Sequence, residues 1–219
     1  MPSPSIRSVL ACATVVGATL LTPAASSAAT VDTTLKAAVS ELPGATEVRT
    51  GYDRSLFRHW VDADGDGCNA RNEVLIEEAT TRPSVGSGCA LSGGRWTSYY
   101  DGASWTDPQD LDIDHMVPLA EAWDSGARTW SAAERQSYAN DLGDPRSLQA
   151  VTDDVNQAKG DQDPATWEPS VAGVRCRYAA EWVAVKLRWR LTVDAAERSA
   201  LSSRASGCAS TRIVVQTAR

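Results

Sequence analysis

At 219 residues, 42% hydrophobic and 22% charged, the chain has room for one globular domain with a substantial core. Its net charge of −7 excludes a broadly basic surface that grips polyanions unaided, so contact with nucleic acid would need a local basic site or a bound cation. No apolar run approaches the ~20 residues of a membrane-spanning helix, which argues against an integral membrane protein.

The chain opens with Arg7, an apolar run over Val9–Leu21 and small residues closing at Ser27-Ala28-Ala29. This is the layout of a secretory signal peptide. Residues 1–29 are therefore read as a leader and 30–219 as a single secreted, extracellular domain. Cys12 follows Val9-Leu10-Ala11, which is too loose a lipobox to argue for lipidation.

Thr33–Leu42 places Leu35, Ala38, Val39 and Leu42 on one helical face, and Pro43-Gly44 stops it. Residues 51–61 carry Tyr52, Leu56, Phe57, Trp60 and Val61 as an apolar helical stripe. Asp62–Gly67 reads as a loop, and Glu73–Thr80 as either helix or strand. The stretch 83–110, rich in Gly, Ser, Pro and Asp, predicts turns and short strands. Leu111–Leu119 alternates apolar residues with Asp and His and predicts a strand. Ser131-Ala-Ala-Glu134 is a capping box opening a helix to about Leu142. Leu148–Val151 is a short strand, followed by a helix capped at Thr152 or Asp153 and stopped by Gly160 after Lys159. Arg177–Leu191 is the longest predicted helix, with Trp182, Val185 and Trp189 inward. Asp194-Ala-Ala-Glu197 is a second capping box, opening a helix to about Ala205, and Ile213–Val215 an edge strand. Few strands and several helices make an α+β domain.

After the leader, Cys68, Cys89, Cys176 and Cys208 remain. An even number in an exported chain reads as two disulfides. Three pairings are open; Cys68–Cys89 with Cys176–Cys208 is favoured because each closes a local loop, a constraint worth about 3 kcal/mol. The absence of a C-x2-C pair argues against zinc held by these thiolates.

The chemistry concentrates in Asp112-Ile-Asp-His-Met-Val-Pro-Leu119, where a carboxylate ligand stands beside an imidazole base. A second strand and a helix bearing Asn156 and Lys159 would bring Asn156 back toward Asp114. This segment resembles the HNH nuclease family, in which an Asp-His-x-Val-Pro strand precedes a second strand and a helix carrying a ligand Asn or His. The wider chain resembles a secreted HNH subgroup related to the C-terminal nuclease domain of modification-dependent restriction enzymes. The matching words are Gly65-Asp-Gly-Cys-Asn-Ala-Arg71, Asp112 to Ala127, Tyr138-Ala-Asn-Asp-Leu142 and Asn156 to Pro164.

The resemblance implies a ββα-metal core over about 111–161. Asp114 and Asn156 would hold one Mg2+ or Mn2+, His115 would act as general base, and Lys159 would neutralise transition-state charge. It implies hydrolysis of DNA, with RNA left open, to 5′-phosphate and 3′-hydroxyl ends. A monomer with little sequence specificity is expected. The family's middle Asn falls on Ser147, so Asn140 or Asp144 would pin the turn between the strands.

Asp62-Ala-Asp64-Gly-Asp66-Gly67, with Glu73 in twelfth place, fits an EF-hand loop, a Ca2+ site, and also an ordinary Asp/Gly turn tied by Cys68. It supports the alternative of a non-catalytic extracellular calcium-binding module. A hydrolase with paired carboxylates is a third reading, for which no pair stands out. His59, on the apolar stripe, reads as structural. Arg71, Arg146 and Arg175 are candidate phosphate contacts, and the tryptophans mostly core.

Overall fold

The computed structural model describes Met1 and residues 29–219; apart from its end residues, the expected leader lies outside them. Among the described residues, β1 (Thr30–Thr34) leads into α1 (Leu35–Glu41), and α2 (Ala70–Glu77) follows a long loop. Four two-residue strands follow, β2 (Ser84–Val85), β3 (Leu91–Ser92), β4 (Trp96–Thr97) and β5 (Ser104–Trp105). Next come β6 (Leu111–His115), α3 (Leu119–Asp124), α4 (Ala132–Ala139), β7 (Leu148–Thr152) and α5 (Asp153–Lys159). The chain ends with α6 (Arg175–Trp189), α7 (Ala195–Ser206) and β8 (Arg212–Gln216). The α+β expectation holds: the strands form four antiparallel two-stranded ribbons, β1–β8, β2–β3, β4–β5 and β6–β7.

The main core is helical. Along α6, Tyr178, Trp182, Val185 and Trp189 recur at three- and four-residue spacing and are buried against α1, α7 and β8. A smaller core joins Val74 and Leu75 of α2 to Trp96, Leu111, Ile113, Leu148 and Ala150. The β6–β7 ribbon therefore lies between α2 and α5, with one face on this small core. Arg71 fixes α2 to the ribbon by donating to the Leu111 and Pro108 carbonyls. Trp105 Nε1 donates to Thr152 Oγ1 at the same end of the ribbon, where Thr152 pairs with Leu111.

Both favoured disulfides form, Cys68–Cys89 and Cys176–Cys208. The first ties the start of α2 to the short-strand region, and the second ties α6 to the end of α7.

Several elements differ from the sequence expectation. The stripe over 51–61 forms only a 3₁₀ turn, Arg54–Leu56, capped by Asp53; Phe57 is buried but Leu56 is exposed. The backbone leaves helical geometry at Phe57, with φ −106° and ψ 87°, and Trp60 beyond it has φ 59°, a left-handed conformation costly for a bulky residue. Asn140 satisfies this segment from outside, accepting from Val61 N–H and donating to the Arg58 carbonyl. The predicted strand 111–119 stops at His115, and Pro118 precedes the first turn of α3. The capping box at Ser131 forms in full. At Asp194 only half forms: Asp194 accepts from Glu197 N–H, while the Glu197 carboxylate turns inward to Lys186 and Trp182.

Candidate active-site cleft

The β6–β7 register pairs Asp114 with Gln149 and His115 with Leu148. Helix α5 then folds back across both strands and ends at Gly160, whose φ of 52° suits a residue without a side chain. This return brings Asn156 over β6, where its Nδ2 donates to Asp112 Oδ2 at 3.2 Å. With the amide nitrogen so committed, the Asn156 Oδ1 is left as an acceptor.

Asp114, His115 and Asn156 line one cleft of about 120 Å³, together with Arg54, Ile113, Pro118, Leu119, Gly160 and Asp161.

His115 is buried at the cleft floor. Its Nε2 lies 3.0 Å from the Ala139 carbonyl oxygen. A carbonyl only accepts, so Nε2 carries the proton and Nδ1 keeps a lone pair. The ring is sandwiched between Trp60, 5.6 Å away at 28°, and Tyr138, 6.4 Å away at 19°. Burial lowers the imidazole pKa to about 3, with the positive charge of Arg54 adding to the effect and the Ala139 bond opposing it. The ring is accordingly neutral near pH 7.

The Asp114 carboxylate is held from two sides. Tyr100 Oη donates to its Oδ2 at 2.6 Å, and Lys159 Nζ to its Oδ1 at 2.8 Å. Lys159 also donates to the His115 carbonyl at 3.1 Å. Burial raises the Asp114 pKa, and Lys159 and Tyr100 oppose the rise; burial likewise lowers that of Lys159 against the pull of Asp114.

Lys159 is 0% exposed and does not line the cleft. Expected to neutralise transition-state charge, it sits in the structure beneath Asp114 and not on the cleft surface. The cation that lines the cleft is Arg54, exposed on its 3₁₀ turn. No feature of the sequence singles it out. Tyr100 and Trp60, both in contact with the cleft residues, were likewise hidden, the first in a turn-rich stretch and the second in the misread helix.

Of the arginines expected at phosphate, Arg71 is spent on backbone carbonyls, Arg146 on Asp144 and Arg175 on Glu168 and Pro169. Trp123, Trp130, Trp182 and Trp189 are core. The turn before β7 is braced by Asp144, which accepts from Arg146 N–H, and by Asp141, which accepts from Ser147 Oγ; Asn140 serves the 58–61 segment instead. His59 binds the Phe57 carbonyl through Nδ1.

In the Asp62–Gly67 loop, carboxylate oxygens of Asp62, Asp64 and Asp66 converge within 4.8 Å. Each of these acids also accepts from a loop amide, Asp62 from Gly65 and Gly67, Asp64 from Asp66 and Asp66 from Cys68. Glu73 groups with Asp66 and Cys68, and that thiol is tied up in the disulfide. A larger hollow of about 380 Å³ presents Glu73, Glu77, Glu78, Asp141 and Asp144, but Asp141 is bonded to Arg188 and Trp189 and Asp144 to Arg146. Among the described residues no helix is long and apolar enough to cross a membrane.

Comparison with known proteins points the same way as the cleft. The model of the family described as GmrSD restriction endonucleases, C-terminal domain, matches residues 71–204. An uncharacterized secreted protein of Arthroderma benhamiae is 49% identical over 158 residues, 72% of this chain and 76% of the relative. No solved structure shows significant similarity.

Proposed function

Because the chain belongs to the family of GmrSD restriction endonuclease C-terminal domains, we propose that it is a secreted, metal-dependent endonuclease of the HNH type. It hydrolyses phosphodiester bonds of DNA, and RNA is the substrate to test beside it. The observation that carries this reading is the hydrogen bond from His115 Nε2 to the Ala139 carbonyl, which leaves Nδ1 as a base beside Asp114.

The cleft fits a hard divalent cation such as Mg2+. Asp114 and Asn156 offer oxygen donors from two elements, and open space beside them leaves room for water and a phosphate oxygen. Bound there, the cation would polarise the phosphodiester and stabilise the leaving oxygen.

The protein's own groups supply the rest. The His115 Nδ1 takes the proton of the attacking water, and the resulting imidazolium is stabilised as its Nε2–H bond to Ala139 becomes charge-assisted. Asp112 fixes the Asn156 amide so that its oxygen faces outward. Lys159 and Tyr100 hold the Asp114 carboxylate in one orientation. Arg54 meets the negative charge of the incoming backbone. The domain 30–219 is the working unit, released from the leader 1–29.

The rival calcium-module reading has the convergence of Asp62, Asp64 and Asp66 in its favour and gives no reason for the His115 arrangement. Supercoiled plasmid incubated with the disulfide-intact protein and Mg2+ decides between them. Nicking suppressed by EDTA and by His115→Ala supports the nuclease. No cleavage of DNA or RNA by folded protein with Mg2+ or Mn2+ overturns it.

A further inference from the structure

Beyond the residues that line the cleft, four segments direct carboxylates at one another. One oxygen each from Glu47, Glu121 and Asp124 lie within 4.8 Å, and Glu47 belongs to a second such group with Asp163, Asp194 and Glu197. Few cations answer these six acids. Lys186 is bonded to Glu121 and Glu197, and Arg49 to Asp124 Oδ2.

The Asp124 side chain is 97% buried, and while its Oδ2 receives Arg49, its Oδ1 has no hydrogen-bond partner at all. A buried carboxylate oxygen left without a partner is destabilising. Such an atom in a native fold points to an unseen partner. Glu47 and Glu121 converge with Asp124 on one space, and a single cation there would answer all three carboxylates beyond what Arg49 and Lys186 supply. Glu121 has Oε1 taken by Lys186 and Ser125, which leaves Oε2 as an acceptor.

We infer that Glu47, Glu121 and Asp124 form a calcium site that staples the segment before Arg49 to helix α3. Oxygens 2.3–2.6 Å from one Ca2+ stand at most about 5 Å apart, which matches the observed spacing. Mg2+ retains waters and avoids dedicated protein cages, so an all-carboxylate site from distant segments suits the larger ion. Asp163 and Asp194 stand close enough, through Glu47, to add water-mediated contacts. The site is independent of the nuclease reading and distinct from the Asp62–Glu73 loop.

Calcium titration calorimetry and thermal unfolding, with and without EGTA, test the site on wild type, Glu47→Gln and a loop variant, Asp64→Asn. Glu47 is exposed, so its substitution leaves the fold intact. The wild type is expected to bind one more Ca2+ than Glu47→Gln, and the loop variant to retain that ion. The order of Tm values should also reverse. In EGTA, Glu47→Gln is as stable as wild type or more so, because a repelling charge is gone; in millimolar Ca2+ it melts several degrees lower. Equal calcium stoichiometry and affinity in wild type and Glu47→Gln, or an unchanged Tm order, would overturn the inference.

Discussion

The Lys159 ammonium, wholly buried, lies 2.8 Å from Asp114 Oδ1, so this charge faces inward beneath a carboxylate that borders the cleft. Removing one member of a buried ion pair strands the other, at a cost of about 3–5 kcal/mol. Lys159→Met is therefore expected to lower stability in urea unfolding by that order, with activity falling as Asp114 loses its orientation. A lysine acting on substrate phosphate would instead lose activity at unchanged stability, and that result would refute the placement.

His115→Ala should reduce plasmid nicking by roughly 10²–10⁴-fold while circular dichroism stays that of the folded protein. In the wild type, long-range ¹⁵N–¹H spectra should show the Nε2–H tautomer near pH 7, as the Ala139 carbonyl requires. An Nδ1–H signal would remove the base from the proposed mechanism.

Arg54 is exposed and carries little of the fold. Arg54→Ala is expected to leave Tm within about a degree and to weaken substrate binding, raising KM more than it lowers kcat. The salt dependence of KM should become shallower, since one phosphate contact is lost. An unchanged KM and salt slope would remove Arg54 from the interface.

Glu78 gives a pH signature. Its Oε2 accepts from Ala150 N–H at 2.8 Å, and burial raises its pKa to about 7. A carboxyl whose folded pKa lies above its unfolded value of 4.5 binds its proton more tightly in the fold. Its contribution is thus most favourable at acid pH and declines as pH rises from about 4.5 through 7. Glu78→Gln should be about 1–3 kcal/mol more stable than wild type at pH 8, with the gap closing toward pH 4.5. A gap independent of pH would contradict this.

Replacing Cys176 and Cys208 by serine should cost about 3–4 kcal/mol in the chain-entropy model, given a sequence separation of 32. Urea unfolding of the double variant measures it, and a loss below 1 kcal/mol would mean α6 and α7 hold their relation without the bridge.

What the sequence made legible was local. The β6–β7–α5 unit could be read because its polar residues are spaced by the strands and helix that carry them, and Gly160 marks the end of α5 by its conformation. Tertiary demands were not legible. Trp60 looks helical in the stripe 51–61, yet its backbone is set by Asn140, which accepts from Val61 N–H across 79 positions. Lys159 carries no sign in the sequence of being wholly buried, and it meets Asp114 only because α5 folds back. Glu197 is placed for a capping box, but Lys186 and Trp182 offer it a stronger interior bond. The partner of β8 was also unseen, because β1 lies almost the whole domain away.

That last pairing has a consequence for when the protein becomes itself. Thr30 faces Gln216 and Thr34 faces Arg212, while Ile213 and Val215 are fully inside the main core. Among the described residues, the first strand finds its pairing partner only in the last. A chain threaded through a membrane from its N-terminus would therefore stay open along this seam until β8 had crossed, so a finished hydrophobic interior, and the cleft resting on it, would exist only on the far side.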